Sequence, residues 1–262
     1  MNHPTDWRRV WQVKSEDPVS DFELDRGRAP GEPEAENLSD RELLNFIDPK
    51  AAETILDAGC GTGVNISRLS SQVKHIIGVD YTQGSVTRSQ RRISSHHITN
   101  ARVLLASVTD LPFADRSIDK VLCLSVLQYL DERQVRRALQ EFVRVLANGG
   151  VIILHVKNFS SLYWSTLWLA KKLKRLAGRD TRLEHLRSYR WYANELVSLN
   201  CTIVGYNSLN LLIIDAMPKR LLSFLHTFEL RHHRHALFQL PFLRRHGAEL
   251  KIKARIVSHP RA

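Results

Sequence analysis

The sequence has 262 residues, of which 43% are hydrophobic and 25% charged, which suits a folded globular protein and excludes a largely disordered chain. No stretch reaches the roughly 18 apolar residues of a membrane-spanning helix. The polar start of the chain also lacks the apolar core of a signal peptide, so we expect a cytoplasmic protein. Three cysteines without a CxxC pair indicate neither a disulfide framework nor a zinc site.

The net charge of +11 is concentrated in the second part of the chain. Residues 1–158 contain 20 Lys and Arg against 21 Asp and Glu, whereas residues 159–262 contain 18 against 6. A region this basic suits contact with a phosphate-bearing substrate, a nucleic acid or a membrane surface. The alternative is a basic surface that only keeps the protein soluble.

The predicted elements alternate between strands and helices after an irregular N-terminal segment, residues 15–40. Ser39 and Asp40 are expected to cap a first helix that ends before Pro49. Strands are then predicted at 54–58, 75–80, 101–106, 118–125, from 151, 201–209 and 249–257. Helices are predicted at 64–71, 82–95, 132–146, where a turn at 148–150 follows, and 193–199. Apolar strands separated by helices predict a parallel sheet covered on both faces, and the alternating last strand suits an antiparallel position.

A glycine-rich turn follows the first strand and carries most of the functional signal. The turn reads Asp57-Ala-Gly59-Cys-Gly61-Thr-Gly63, with glycines at positions 1, 3 and 5 instead of the 1, 3 and 6 of a dinucleotide-binding fingerprint. An acid before the first glycine suits an ammonium group better than a pyrophosphate. Asp80 ends the second strand, where a carboxylate can accept hydrogen bonds from both ribose hydroxyls. A ligand with an amino acid at one end and a ribose further along fits all three features, and S-adenosylmethionine is such a ligand.

Five motifs in order resemble those of class I S-adenosylmethionine-dependent methyltransferases of the type 11-like group. They lie at residues 55–63, 78–81, 107–113, 119–127 and 144–150. The resemblance implies a Rossmann-like, doubly wound α/β fold with a seven-stranded, mostly parallel sheet whose last strand is antiparallel. It also implies a methyltransferase domain at 49–262, with helical lid inserts after strands five and six at about 158–190 and 218–247. Residues 1–48 are expected to form an N-terminal segment and helix.

The same resemblance implies which residues bind the cofactor. The glycine turn would wrap the methionyl part, Asp57 would face its amino group, and Asp80 would hold the ribose. The adenine would contact Tyr81 and the Ser107–Val108 turn, and Leu124 would line the methyl side. Related sequences commonly carry Asp at the position of Ser107, so the hydroxyl here would accept a weaker hydrogen bond. The full implied set is Asp57, Gly59, Gly61, Thr62, Gly63, Asp80, Tyr81, Ser107, Val108 and Leu124.

The range of acceptor classes is reduced mainly by motifs that this sequence lacks. The stretch after the fourth predicted strand lacks the Pro-Pro-aromatic run of amino-group methylation of bases, and Cys123 lacks the preceding proline of cytosine C5 chemistry. Tyr129 is a candidate base, but we expect it to form part of the pocket wall instead. His185 precedes the helix near the acceptor mouth and is the better base candidate, whereas His155 inside the fifth strand is expected to be a core residue.

The two inserts are basic and rich in apolar residues. In the first, Trp164 and Trp168 share a helical face with Lys171 and Arg175, which suits an exposed face at lipid headgroups or a phosphate-bearing ligand. Burial of both indoles between the core and the second insert is the alternative. Three histidines in the second insert do not match ligand spacing, so no metal is predicted; they are residues 232, 233 and 235.

These features predict an enzyme that methylates an O or N atom of a small-molecule, glycan or lipid-like acceptor. The prediction includes peripheral contact of the protein with a membrane. An RNA methyltransferase that uses the basic half for phosphate contacts is the second hypothesis. A non-catalytic protein that binds S-adenosylmethionine is the third.

Overall fold

The computed structural model of the protein describes residues 6–16, 33–177, 184–209 and 245–257, together with Phe224, Leu225, Phe228, Arg231 and Leu240. Most of the expected second insert, including its three histidines, lies outside the described residues. Among the helices that are described, none is both long and apolar enough to cross a membrane.

Seven strands form one central sheet. They are β1 (Thr54–Ala58), β2 (His75–Asp80), β3 (Ala101–Leu105), β4 (Ile118–Leu124), β5 (Leu146–Lys157), β6 (Cys201–Leu209) and β7 (Glu249–Ile256). Their order in the sheet is β3-β2-β1-β4-β5-β7-β6. The first five strands pair in parallel, and β7 is antiparallel to both β5 and β6, which confirms the predicted fold class. The strand order reverses between β1 and β4, and ligands of doubly wound sheets bind at the carboxyl ends of the strands beside such a point.

Helices cover both faces of the sheet. They are α1 (Trp7–Glu16), α2 (Pro33–Ile47), α3 (Val64–Leu69), α4 (Gln83–Ser95), α5 (Glu132–Val145), α6 (Leu162–Leu176) and α7 (Tyr189–Ser198). Successive strand residues point to opposite faces. Ile55 therefore belongs to one core with Ile47 of α2, whereas Leu56 belongs to the other core with Phe142 of α5 and Tyr192 of α7. The sheet is buried on both sides, as the apolar strands predict.

The N-terminal region is more helical than expected. The prediction of an irregular segment at 15–40 is wrong at both of its ends, because Ser15 belongs to α1 and residues from Pro33 onwards belong to α2. The predicted cap at Ser39–Asp40 is also wrong. Proline suits the first position of a helix, where its missing N–H needs no partner, so α2 begins at Pro33. Asp40 instead forms an ion pair with Arg68 of α3.

Two other boundaries shift. The helix α5 ends at Val145, and β5 begins at once with Leu146, which pairs with Ile118, so the turn expected at 148–150 is counted within the strand. The helix α7 begins at Tyr189 and not at residue 193. Its cap is Ser188, whose Oγ accepts a hydrogen bond from the backbone N–H of Trp191 at 3.3 Å.

A buried ion pair fastens the loop after β3 to helix α5. Glu141 is 3% exposed and accepts hydrogen bonds from the backbone N–H of Leu111 at 2.9 Å and from Nη2 of Arg144 at 2.8 Å. The same guanidinium donates to the carbonyl oxygens of Leu111 and Phe113 at 2.9 and 2.7 Å. The loop that leads from β3 to β4 therefore has a fixed path.

Removing this carboxylate should destabilise the fold. Because Glu141→Ala leaves the Arg144 guanidinium and the Leu111 N–H without their buried acceptor, we expect a loss of about 3 kcal/mol in the free energy of unfolding, measured by urea denaturation. The hydrogen bond from Arg144 lowers the pKa of Glu141 in the folded protein. This stabilisation is therefore complete above the ordinary glutamate pKa and is lost as the pH falls through the lowered value.

The matched control is Glu132→Ala. Glu132 lies on the same helix and pairs with Arg136 at 2.8 Å, but its side chain is 56% exposed. Exposed pairs contribute about 0.5 kcal/mol or less. Equal losses for the two variants would contradict the structural role of Glu141.

Candidate cofactor and acceptor site

The glycine turn is held to the neighbouring strand by backbone hydrogen bonds. The N–H groups of Gly59 and Cys60 both donate to the carbonyl oxygen of Val79, at 2.8 and 2.9 Å. Gly59, Gly61 and Gly63 have φ angles of 84°, 54° and 80°, a region that side chains disfavour. The chain therefore reverses sharply at the carboxyl end of β1 with its backbone bare.

Close packing explains two of these glycines. A Cβ added to Gly59 would lie 2.3 Å from Cγ2 of Val126, in the turn after β4. A Cβ added to Gly63 would lie 2.2 Å from Oγ of Ser89, on helix α4. The turn is thus wedged between the end of β4 and helix α4, and it forms a cradle that only glycine allows.

Two carboxylates flank the turn. Asp57 is 1% exposed on β1. Burial raises the pKa of the Cys123 thiol on β4, and the nearby charge of Asp57 raises it further. Asp80 is 9% exposed at the end of β2, and its Oδ2 accepts from the N–H of Gly61 at 3.1 Å. Its Oδ1 accepts from the N–H and Oγ1 of Thr82 at 2.9 and 2.8 Å. Burial raises the pKa of Asp80, against the hydrogen bonds from Thr82 and Gly61, which lower it.

The remaining predicted cofactor residues lie at the same edge of the sheet. Tyr81 follows Asp80 directly, and Leu124 is the last residue of β4. Ser107 and Val108 form the turn after β3, with Val108 buried. The Ser107 hydroxyl is 2.8 Å from Oγ1 of Thr109, so it is engaged within its own turn.

Thr62, also in the glycine turn, is fully buried, and its carbonyl oxygen accepts from Nε of Arg92 at 3.0 Å.

Helix α1 lies over this edge, a placement that the sequence interpretation missed. A Cβ on Gly84 of α4 would come within 2.6 Å of the carbonyl oxygen of Ser15, so α1 packs directly on α4. The Tyr81 hydroxyl donates to the carbonyl oxygen of Trp7 at 3.3 Å. The rings of Trp7 and Trp11 lie 4.7 and 5.2 Å from that of Tyr129. Two tryptophans four residues apart were the available signal, because this spacing puts both on one helical face.

The two predicted base candidates have different surroundings. Burial raises the pKa of Tyr129 to about 12, so its phenol stays protonated at neutral pH. His185 is exposed, and its backbone N–H donates to the carbonyl oxygen of Gln128 at 2.8 Å. Burial of part of the ring and the nearby Arg187 lower the pKa of His185. Arg187 itself donates to the carbonyl oxygen of Leu130 at 3.0 Å, so this segment is tied to the turn after β4.

The first insert presents the opposite face from the one predicted to be exposed. Trp164 and Trp168 are half-buried, and Nζ of Lys157 lies 4.2 Å from the ring centroid of Trp164. The side of α6 that faces outward carries leucines, of which Leu169 and Leu173 are 52% and 58% exposed. The interpretation of exposed indoles is therefore wrong.

An acid behind α6 explains this orientation. Glu184 accepts from Nζ of Lys157 and from Nζ of Lys171, both at 3.1 Å. These lysines lower the pKa of Glu184 against the effect of its burial. A cavity of about 460 Å³ opens beside this cluster, and Trp168, His185, Arg187 and Trp191 are among the residues that line it.

Comparison with known proteins agrees with this geometry. A model described as "Methyltransferase domain" matches residues 55–150. A protein of Encephalitozoon cuniculi described as a methyltransferase is 31% identical over 166 residues, which are 60% of this chain and 71% of that protein. Demethylmenaquinone methyltransferase of Clavibacter sepedonicus is 33% identical over 108 residues, 41% of this chain and 42% of that enzyme. A Mus musculus protein described as a tRNA methyltransferase is 32% identical over 110 residues, 42% of this chain and 23% of that protein.

Solved structures share the fold at low sequence identity. A phosphoethanolamine N-methyltransferase of Haemonchus contortus, in complex with phosphoethanolamine and S-adenosylhomocysteine, superposes with a TM-score of 0.64 and 16% identity, over 95% of this chain and 48% of that one. Fold and site together define an α/β domain with a positive-φ glycine turn at the carboxyl edge of its sheet. The chain belongs to the class I S-adenosylmethionine-dependent methyltransferases, and S-adenosylmethionine is the cofactor of this family. It spans less than half the length of several of its curated relatives, 42% in one case and 23% in another.

Proposed function

We propose that this protein transfers a methyl group from S-adenosylmethionine to an O or N atom of a small-molecule, glycan or lipid-like acceptor that carries negative charge. The observation that carries the proposal is a positive-φ glycine turn between two buried carboxylates, Asp57 and Asp80, at the carboxyl edge of the sheet. Bound there, the cofactor supplies an electrophilic methyl group on a positively charged sulfur.

The residues of this edge fit the parts of the cofactor. Gly59, Gly61, Thr62 and Gly63 present a bare backbone to the methionyl part, and a buried carboxylate at Asp57 suits an ammonium group. We assign the ribose hydroxyls to Asp80, whose carboxylate, when ionised, accepts hydrogen bonds at both oxygens and donates none. The adenine belongs against Tyr81 and the Ser107–Val108 turn, and Leu124 lines the methyl side.

The acceptor side is assigned to the elements that lie over this edge. We propose that α1 forms a cover, with Trp7, Trp11 and Tyr129 as an apolar wall that excludes water. This gives residues 1–48 the role of a cap on a catalytic domain at 49–262, with lid inserts at about 158–190 and 218–247. His185 stays a candidate at the mouth, and the neutral phenol of Tyr129 favours a wall over a base.

Negative charge on the acceptor is inferred from the basic second part of the chain. Outward-facing leucines on α6 next to exposed lysines are compatible with peripheral contact with a membrane. Methylation of RNA is the second candidate. The same excess of basic residues and the relative described as a tRNA methyltransferase favour it.

A tritium-transfer assay distinguishes these candidates. The full chain is first titrated calorimetrically with S-adenosylhomocysteine, and then incubated with methyl-labelled S-adenosylmethionine and, separately, phosphoethanolamine, anionic lipid vesicles or bulk tRNA. We expect binding of the nucleoside and label in one of the first two. Label only in tRNA would establish the second candidate, and binding without transfer to a broad extract of small molecules, lipids and RNA would indicate a non-catalytic protein.

A further inference from the structure

A serine with an unusual backbone conformation stands at the end of β4. Ser125 follows Leu124, has a φ of 62°, and donates its backbone N–H to the carbonyl oxygen of His155 at 2.7 Å. The next residue, Val126, is the one that a Cβ on Gly59 would strike. Ser125 is therefore half-buried at the point where the glycine turn meets β4, on the methyl side of the site proposed above.

Two side chains on neighbouring strands extend a chain of hydrogen bonds from this serine. The Ser125 hydroxyl lies 3.3 Å from Nδ1 of His155, on β5. Nε2 of the same ring lies 2.7 Å from Oε2 of Glu249, on β7. The sequence interpretation treated His155 as a core residue, but its side chain is 19% exposed and bonded through both ring nitrogens.

The carboxylate selects one tautomer of the neutral ring. An ionised carboxylate only accepts hydrogen bonds, so in a neutral ring Nε2 carries the proton that is donated to Glu249. The lone pair of Nδ1 then faces the Ser125 hydroxyl and can accept its proton. After that transfer both ring nitrogens are protonated, and the charge of Glu249 stabilises the resulting cation, as in serine hydrolases.

Other charged groups near the ring belong to three elements. Lys251 of β7 lies directly opposite His155 in the strand register, 3% exposed, and burial lowers its pKa. Its Nζ has no hydrogen-bond partner among the residues that the structure describes. Glu42 of α2 acts on Lys251 electrostatically, as Glu249 does. Lys157, two residues along β5 from His155, is paired with Glu184.

We propose that Ser125, His155 and Glu249 form a proton relay that deprotonates the methyl acceptor, an inference that rests on the proposed function. Ser125 is the catalytic residue, because its hydroxyl contacts the acceptor. His155 and Glu249 act through it as positioning and proton-holding residues. Ser125 takes the acceptor's proton as its own passes to Nδ1 of His155. A bond forms between the acceptor atom and the methyl carbon, and the methyl–sulfur bond breaks with its electron pair on sulfur.

Diisopropyl fluorophosphate tests the coupling without knowledge of the acceptor. A bond forms between Oγ of Ser125 and phosphorus, fluoride leaves, and the serine proton goes to His155, so a serine outside such a relay reacts negligibly. We expect peptide mapping of the full chain to find the adduct on Ser125. The labelling rate should fall at least about 100-fold in His155→Gln, the usual contribution of a general base, and at least about 10-fold in Glu249→Gln.

Controls separate failure of the relay from failure of the proposed function. Ser117→Ala, which removes an exposed serine whose hydroxyl donates to the carbonyl oxygen of Ala114 at 2.7 Å, should label as fast as the wild type. Calorimetric titration with S-adenosylhomocysteine accompanies every variant. Nucleoside binding without a Ser125 adduct would overturn the relay and leave the proposed function standing. An adduct on a protein that binds no nucleoside would overturn the function and, with it, the role of the relay in methyl transfer.

The tautomer of the wild-type ring gives a second measurement. Nitrogen-15 histidine NMR, with the His155 signal identified by its loss in His155→Gln, should show a proton on Nε2 and none on Nδ1 in the neutral ring. A proton on Nδ1 would mean that the histidine donates to Ser125 and cannot serve as the acceptor of its proton, and the relay would be rejected.

Discussion

Gly59→Ala should lower the stability of this protein more than a typical glycine substitution. A φ of 84° costs an alanine about 1–2 kcal/mol. Its Cβ, at 2.3 Å from Cγ2 of Val126, adds about 1–3 kcal/mol of overpacking. We expect the free energy of unfolding to fall by about 3 kcal/mol and the melting temperature by about 10 °C. Binding of S-adenosylhomocysteine should weaken as well, because relief of the clash displaces the turn or the end of β4.

Gly149→Ala is the matched control, since Gly149 has a φ of 75° but nothing lies within 4 Å of the place that a Cβ would occupy. It should cost only the conformational strain, about 1 kcal/mol, and leave nucleoside binding unchanged. In Gly59→Ala/Val126→Ala the two clashing methyl groups are absent, and the nearest remaining atom of residue 126 is its Cβ at 3.4 Å. Gly59→Ala should therefore lower the free energy of unfolding less in the Val126→Ala background than in the wild type. Equal losses in the free energy of unfolding for Gly59→Ala and Gly149→Ala would show that the close contact with Val126 does not contribute to the effect.

Asp80→Ala should weaken the binding of S-adenosylhomocysteine by at least about 100-fold, because two hydrogen bonds to a charged acceptor contribute about 1.5–3 kcal/mol each. The variant also removes the acceptor of the Gly61 N–H, which loosens the glycine turn. Isothermal titration calorimetry with the nucleoside measures the effect directly, and the melting temperature without ligand reports the contribution of the turn.

Asp110→Ala removes another carboxylate near the same edge, an exposed one, and should change the affinity less than about 3-fold. Burial raises the pKa of Asp80, and only the ionised carboxylate accepts from both hydroxyls. Nucleoside affinity should therefore decline on acidification at a higher pH than an ordinary aspartate would cause. Equal affinity of Asp80→Ala and the wild type would reject the ribose assignment.

Much of the architecture could be predicted because its signals are local. The apolar strands and the amphipathic helix α5 have periodicities that depend on near neighbours in the chain. The glycine turn with Asp57 and Asp80 is also local, since each acid ends a predicted strand and parallel strands bring their carboxyl ends to one edge. The fold class and the proposed nucleoside site thus follow from patterns within short windows.

Other features depend on which surface meets which. Helix α6 has a face with indoles and lysines and a face with leucines, and its composition alone allows either to point outward. Glu184 and its two lysines draw the indole face inward. Likewise, two tryptophans near the N-terminus indicate a helical face, but only the contact of Ser15 with Gly84 puts that face over Tyr129.

By itself, the sequence determined the order of strands and helices, the glycine turn and its two acids, and membership of a methyl-transferring family. Only the tertiary structure brought Ser125, His155 and Glu249 together, because 124 positions in the sequence and the strands β5 and β6 separate the first from the last. Periodicity and spacing describe neighbours along the chain, whereas a relay across β4, β5 and β7 exists only once antiparallel β7 is inserted beside β5.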